Sequence, residues 1–311
     1  MKFSLLNVAA TVALILTAFV QIYAEAPAGL DDDPVITKTF DLSSGELFVS
    51  TSGGSIQVKG SNSSQVKVEM YAKSMKHSDA KIREILDEDY KIRIEKNGAR
   101  IEAVAERIGS GWSWNGISIS FVVYTPSAFN CELITSGGSL NLSGVKAKNH
   151  EMKTSGGSIT AIDIAGELLA RTSGGSITVN DMQGRLDANT SGGSIKLEDI
   201  TGDIDANTSG GGINIIDVKG EVNASTSGGS IKADISRLEK QLVLKTSGGS
   251  VNVTIPSGMG LDLDLRGNRV NTSLNNFSGE SKSDRVKGTI NGGGVLVQLS
   301  TSGGGVNLNF R

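Results

Sequence analysis

Four aspartates recur in the middle of the chain, Asp163, Asp181, Asp199 and Asp217, each eighteen residues after the last. Stacked carboxylates are the kind of group that holds a hard cation, because calcium takes several oxygen ligands at once. With nothing bridging them, neighbours about 5 Å apart in a water-like medium repel by somewhat under ~1 kcal/mol per pair. The other reading is a turn device, in which each Asp accepts hydrogen bonds from amides at its own corner. Glycine-rich calcium β-rolls repeat every nine residues and place Asp two positions past a Gly. Here Asp lies six past the second Gly of Gly156-Gly157 and its counterparts, so the corner reading is preferred.

A second candidate is the segment Gly109-Ser-Gly-Trp-Ser-Trp-Asn-Gly116. Trp112 and Trp114 sit two apart, so a strand would put both rings on one face, where they would stack on sugar rings or anchor a partner, or else cover an open end of the fold. A third is the set of polar residues at repeated positions, such as Asn189 with Asn207 and Lys196 with Lys232, which would contact glycans or a protein or simply face solvent. Nucleophilic chemistry has little to work with. Cys131 is the single cysteine and is expected to pack beside Leu133 in a strand; it excludes an internal disulfide and any multi-thiolate metal site. His77 and His150 are the only histidines, so no Ser-His-Asp or Cys-His grouping emerges, and no catalytic residue, metal ligand or cofactor site is expected. The balance of 30 basic against 33 acidic residues lacks the basic footprint of a nucleic-acid binder.

Positioning these residues falls to a repeat. Thr-Ser-Gly-Gly begins at Thr51, Thr135, Thr154, Thr172, Thr190, Thr208, Thr226, Thr246 and Thr301, with a spacing of eighteen from Thr154 to Thr226, nineteen just before and twenty just after. Within one unit, Ile177 and Val179 alternate with Thr178 and Asn180, and Leu186, Ala188 and Thr190 alternate with Asp187 and Asn189. That is the period of strands with one buried face. An Asp-apolar-x-Gly corner separates the two strands, as in Asp163-Ile-Ala-Gly166, and the paired glycines make a second corner where backbones pack closely. So small a unit cannot bury its own apolar face, but stacked copies can, at about 4.8 Å per coil. The implied columns are Ile159, Ile177, Ile195, Ile213 and Ile231; Leu168, Leu186, Ile204 and Val222; and Ala170, Ala188, Ala206 and Ala224. Aromatic residues make up only 5% of the chain, so small side chains must pack on one another. Two Gly every eighteen residues and the lack of a 3.6-residue stripe exclude helices here.

The flanks read as decorated coils. Val66, Val68 and Met70 alternate, Ser78 opens a short helix over about Asp79 to Leu86, and Asn97-Gly98 signals a hairpin. A strand runs from Ile117 to Tyr124, and Leu261 to Leu265 alternates cleanly. At the start, Lys2 precedes an apolar run from Leu5 to Val20, and small residues at Ala24, Ala26 and Ala28 fit cleavage after Ala24 or Ala26. About sixteen apolar residues is short for a ~30 Å hydrocarbon core, so a removed leader is expected rather than an anchor. The expected organisation is a signal peptide over 1–24, a linker over 25–37, an irregular N-terminal solenoid or cap with a short helix over 38–130, regular coils over 131–255 and C-terminal coils over 256–311.

Three passages carry a family resemblance. They are Phe40-Asp-Leu with Gly45-Glu-Leu-Phe-Val-Ser-Thr-Ser-Gly-Gly-Ser-Ile-Gln-Val58; Ile119-Ser-Phe-Val-Val-Tyr-Thr-Pro126; and Gly288-Thr-Ile-Asn-Gly-Gly-Gly-Val295 followed by Thr301-Ser-Gly-Gly-Gly-Val-Asn-Leu308. In this order, over about Lys38 to Phe310, the chain resembles the bacterial putative-adhesin family of unknown function, whose exported members are single-stranded right-handed β-helices. The resemblance implies a surface or adhesive role and no catalytic residues. The expected fold is all-β, a parallel β-solenoid with eighteen-residue coils and one short helix, right-handed by the resemblance and by the rule for parallel crossovers. The expected function is a non-enzymatic, exported scaffold of the envelope or outer surface, with glycans or an envelope protein as partners. The alternatives are a periplasmic structural or stress protein without a dedicated ligand, and a polysaccharide-acting β-helix enzyme. The short coils leave little room for the long loops that wall an enzyme cleft.

Overall fold

The computed structural model describes residues 33–108 and 116–311. The leader segment and the Trp112/Trp114 pair lie outside the described residues.

Two parallel walls rise side by side, each adding one strand per coil. In one wall Ile159 pairs with Ile177, Ile177 with Ile195, Ile195 with Ile213 and Ile213 with Ile231. In the other, Leu168 pairs with Leu186, Leu186 with Ile204 and Ile204 with Val222. The apolar columns read from the sequence are therefore real columns, and they are fully buried. Burying one such side chain contributes about 1.5–3 kcal/mol, which each short coil obtains only from its neighbours.

The tetrad threonine explains its own recurrence. Thr190 Oγ1 accepts from the amide of Gly193 in its own turn at 3.3 Å and donates to the carbonyl of Gly175 one coil back at 2.8 Å. Thr172 and Thr208 repeat both bonds. One hydroxyl thus satisfies a part-buried donor and a part-buried acceptor at each corner. The second glycine of the pair is required for space, because a Cβ on Gly175 would lie 2.0 Å from the Gly157 carbonyl oxygen, whereas one on Gly174 would keep 3.5 Å from Gly156. A ladder of serine hydroxyls runs alongside, Ser176 N to Ser158 Oγ at 3.3 Å and Ser194 N to Ser176 Oγ at 3.2 Å.

At both ends the order in space departs from the order in sequence. The first coil, Gly45–Thr51 with Ile56–Ser61, lies between the regular stack and a coil made from Arg100–Arg107 and Ile117–Pro126. The last coil, Val295–Thr301 with Gly305–Phe310, lies between the strands ending at Thr246 and Ile255 and a coil made from Leu261–Arg266 and Arg269–Thr272. Antiparallel strands then cover three of the four outer edges. Gln65–Ser74 lies on Ile117–Pro126, Tyr90–Asn97 on Arg100–Arg107, and Arg285–Ile290 on Leu261–Arg266. Covered edges limit strand addition from a second chain. Lys38 Nζ reaches the Ile94 carbonyl and Lys96 Nζ the Asp41 carbonyl, both at 2.8 Å, tying the two walls together at the N-terminal end.

The helix runs Asp79–Asp89, longer than the alternation implied, and buries Ile82, Ile85 and Leu86. Its polar last turn Asp87–Asp89 carries no apolar signal, and it stops where Tyr90 turns extended. The Asn97-Gly98 hairpin forms with Asn97 paired to Arg100, so Gly98 and Ala99 are the turn residues and Gly98 takes φ +61°.

Candidate functional site

The corner aspartates have a backbone reason to be there. Asp163, Asp181, Asp199 and Asp217 have φ of 56°, 53°, 54° and 51°, and each is skipped by the strand pairing on either side. Asp enters this left-handed region more readily than most residues, because its short polar side chain bonds locally. The expectation is of carboxylates accepting corner amides, whereas two of the four have side-chain partners instead. Asp163 pairs with Lys146 at 3.0 Å, and Asp217 accepts a hydrogen bond from the Ser236 hydroxyl. That bond holds Asp217 below the usual carboxylate range, while desolvation and then the Asp217 charge hold Asp199 above it. The column is a repulsive ladder relieved at its two ends. Among the described residues no group of three or more His, Cys, Asp or Glu side chains is placed to hold a metal ion.

The outward face of the second wall carries denser chemistry. Arg100 pairs with Glu102 at 2.9 Å, Glu46 at 3.1 Å and Glu132 at 3.7 Å, with its guanidinium 5.1 Å from the centre of the Phe48 ring. The hydrogen bond Arg100 donates to Glu102 is the main reason its proton is held more tightly than usual. Beside it opens a groove of about 440 Å³ bordered by Asn130, Asn149, Glu151 and Glu167. Further along, Asn189 and Asn207 stack on adjacent coils as the sequence indicates, and Asn207 donates to Asp205 at 2.6 Å and accepts from Ser225 at 2.5 Å. Lys196 and Lys232 share a column with Asn214 between them, so they are two coils apart.

Cys131 and His150 face inward. Cys131 stacks between Leu47 and His150, and burial pushes its thiol up to about 12, so it stays protonated and unreactive. His150 occupies the position held by Leu168 one coil on, with Nε2 3.3 Å from the Ala165 carbonyl. Burial holds its pKa below the ordinary value. The nineteen-residue spacing before Thr154 marks the register shift between Ala165 and Glu167 beside which it sits. Counting back four residues from each tetrad threonine would have found His150 in the leucine column.

Sequence reasoning also missed Tyr124. It is exposed on the N-terminal coil, with Lys59 and Lys67 ammonium groups each 5.8 Å from its ring centre. Nearby, Tyr71 donates to Glu69 at 3.0 Å, and burial first, then that bond, pushes its phenol up to about 12.

The family model described as Toastrack DUF4097 matches residues 44–309, nearly the whole described solenoid. The chain belongs to the Toastrack DUF4097 family. Among solved structures, this Toastrack chain is similar to a putative adhesin from Parabacteroides merdae, at 15% identity and TM-score 0.46, covering 88% of this chain and 95% of that one. It is similar to a putative lipid binding protein from Parabacteroides distasonis, at 16% identity and TM-score 0.44, covering 89% and 97%. A putative adhesin from Bacteroides fragilis aligns at 13% identity and TM-score 0.39, covering 88% and 96%. No curated protein matches the Toastrack chain.

Proposed function

We propose that the protein is a non-catalytic, adhesin-like interaction scaffold, exported to the cell envelope or its outer surface, with glycans or an envelope protein as its partner. One observation carries this reading: polar side chains are repeated in register along the outer face and already bonded to one another, as in Asp205, Asn207 and Ser225. Such a surface is ordered before a partner arrives, which lowers the entropy cost of binding, and its repetition lets weak contacts add. The inward placement of Cys131 and His150 supports a role without catalysis. No helix among the described residues is long and apolar enough to cross a membrane.

Fractionation with protease accessibility on intact cells tests the location, and a glycan array with a pull-down from envelope extract tests the role. Binding on either assay, with the protein outside the cytoplasm, is the expected result. Silence on both, or cytoplasmic recovery, overturns the proposal.

A further inference from the structure

We infer that the C-terminal end of the stack holds a binding site for a neutral, hydroxyl-rich ligand, a short oligosaccharide. This rests on the interaction role above and gives it a place and a chemical class.

The site arises because the outermost coil is short. Arg269–Thr272 pairs with the last coil only as far as Thr272 beside Leu308, two residues before Phe310. Phe310 rests on Ile255 on its inner side, and no paired strand continues over its outer side. The chain instead leaves through Ser273 and returns as the strand Phe277–Ser281. A cavity of about 530 Å³ remains, within the roughly 300–1,000 Å³ typical of small-molecule sites.

Its lining is distinctive. Four carboxamides, Asn275, Asn276, Asn291 and Asn309, surround an apolar side formed by Met259 and Phe310, and among the described residues no ionisable side chain lines it. Two of the four are fixed: Asn276 donates to Asn291 at 3.0 Å, and Asn291 donates to the Met259 carbonyl at 3.0 Å. Their backbones take φ of 51° and 49°, which Asn tolerates. Asn275 and Asn309 border the same space and are exposed. A carboxamide both donates and accepts, as does a sugar hydroxyl. An aromatic ring offers its face to the C–H side of a pyranose. A charged ligand would lose hydration here without a counter-charge, so the site selects neutral ones. The acidic groove beside Arg100 has the opposite character.

The test uses the full chain on an array of immobilised neutral hexose and N-acetylhexosamine oligosaccharides, with sialylated and sulfated sets alongside. Binding to neutral glycans is expected, weakened at least tenfold by Asn309→Ala and by Asn275→Ala and unchanged by Glu151→Gln in the groove. Both asparagines are exposed, so melting curves of the variants should overlay that of the parent. Binding that survives both asparagine changes, that prefers the anionic sets, or that is lost with Glu151→Gln overturns this inference and leaves the interaction role standing. Capture of an envelope protein with no glycan signal does the same. Silence toward glycans and envelope proteins alike overturns both.

Discussion

Thr301 donates its hydroxyl to the carbonyl of Gly249, 52 residues earlier, at 2.6 Å, whereas Thr190 makes the same bond to Gly175 only 15 residues back. One local device therefore joins coils that are consecutive in sequence and coils that are not. Replacing either threonine by valine keeps the shape and strands a corner carbonyl and amide. Each change is expected to cost about 1–3 kcal/mol. Urea unfolding should show similar losses for Thr190→Val and Thr301→Val, and a null effect at Thr301 would mean the last coil is not docked inside the stack.

The two corner glycines should respond differently to the same change. Gly175→Ala brings a methyl 2.0 Å from a backbone oxygen that cannot move without shifting a coil. Overpacking of this kind costs about 1–3 kcal/mol or more. Gly174→Ala meets its nearest atom at 3.5 Å and should be nearly neutral. Thermal melts of the pair decide it, and equal behaviour would refute the tight corner.

At the aspartate corner, backbone and charge can be separated. Asp181→Ala asks alanine to hold φ 53°, at about 1–2 kcal/mol. Asp181→Asn tolerates that conformation and removes a charge beside Asp199, whose carboxyl is held above the usual range by desolvation first and by Asp217 and Asp181 after it. The asparagine variant should match or exceed the parent in stability, and NMR titration should show the Asp199 carboxyl moving down. A less stable asparagine variant would mean that the carboxylate itself holds the corner.

His150 makes stability depend on pH. Burial lowers its folded pKa below the unfolded value of about 6.5, so above that pH both states are neutral and the residue contributes no slope. As pH falls below about 6.5 the unfolded chain takes up the proton first and the fold loses stability, at no more than about 1.4 kcal/mol per pH unit for one proton. The loss should level off once pH passes the folded pKa. His150→Leu restores the residue type of the column and should remove this part of the acid sensitivity while melting close to the parent at pH 7.5. An unchanged slope between pH 7 and 5 would rule His150 out as its source.

The regular coils were legible because each inward position repeats at a fixed interval, so Ile177 beside Ile195 could be read by counting. The ends were not, for the same reason. Nothing in Leu261 to Leu265 marks that its parallel neighbour is Val295 to Leu299, since alternating strands of equal length are interchangeable until turn lengths and edges are known. The asparagine-lined cavity was hidden too, because it depends on Arg269–Thr272 ending early, a matter of strand length rather than residue type. His150 stands at a leucine position that counting reaches, but its residue type points to ligand chemistry rather than to a core column. The spacing of the aspartates marks them as corner residues, but their left-handed backbone is a property of φ that spacing does not reveal.

The exchanged coils at the two ends change how this chain must come apart and assemble. Repeat proteins ordinarily fray from their termini, because the outermost unit is held on one side only. Here the last coil is clamped on two sides, and so is the coil of Gly45–Thr51 and Ile56–Ser61, which follows the one-sided edge strand Ile36–Asp41; the coils outside both are internal stretches of chain. Pulling on the C-terminal strand loads a segment bonded to two neighbours at once, so resistance to extraction there should exceed that of an end-to-end repeat of equal length. The same bonds raise the mean sequence separation of contacts, and self-assembly should be slow and finish with the two closures, since each must wait for residues made dozens of positions later.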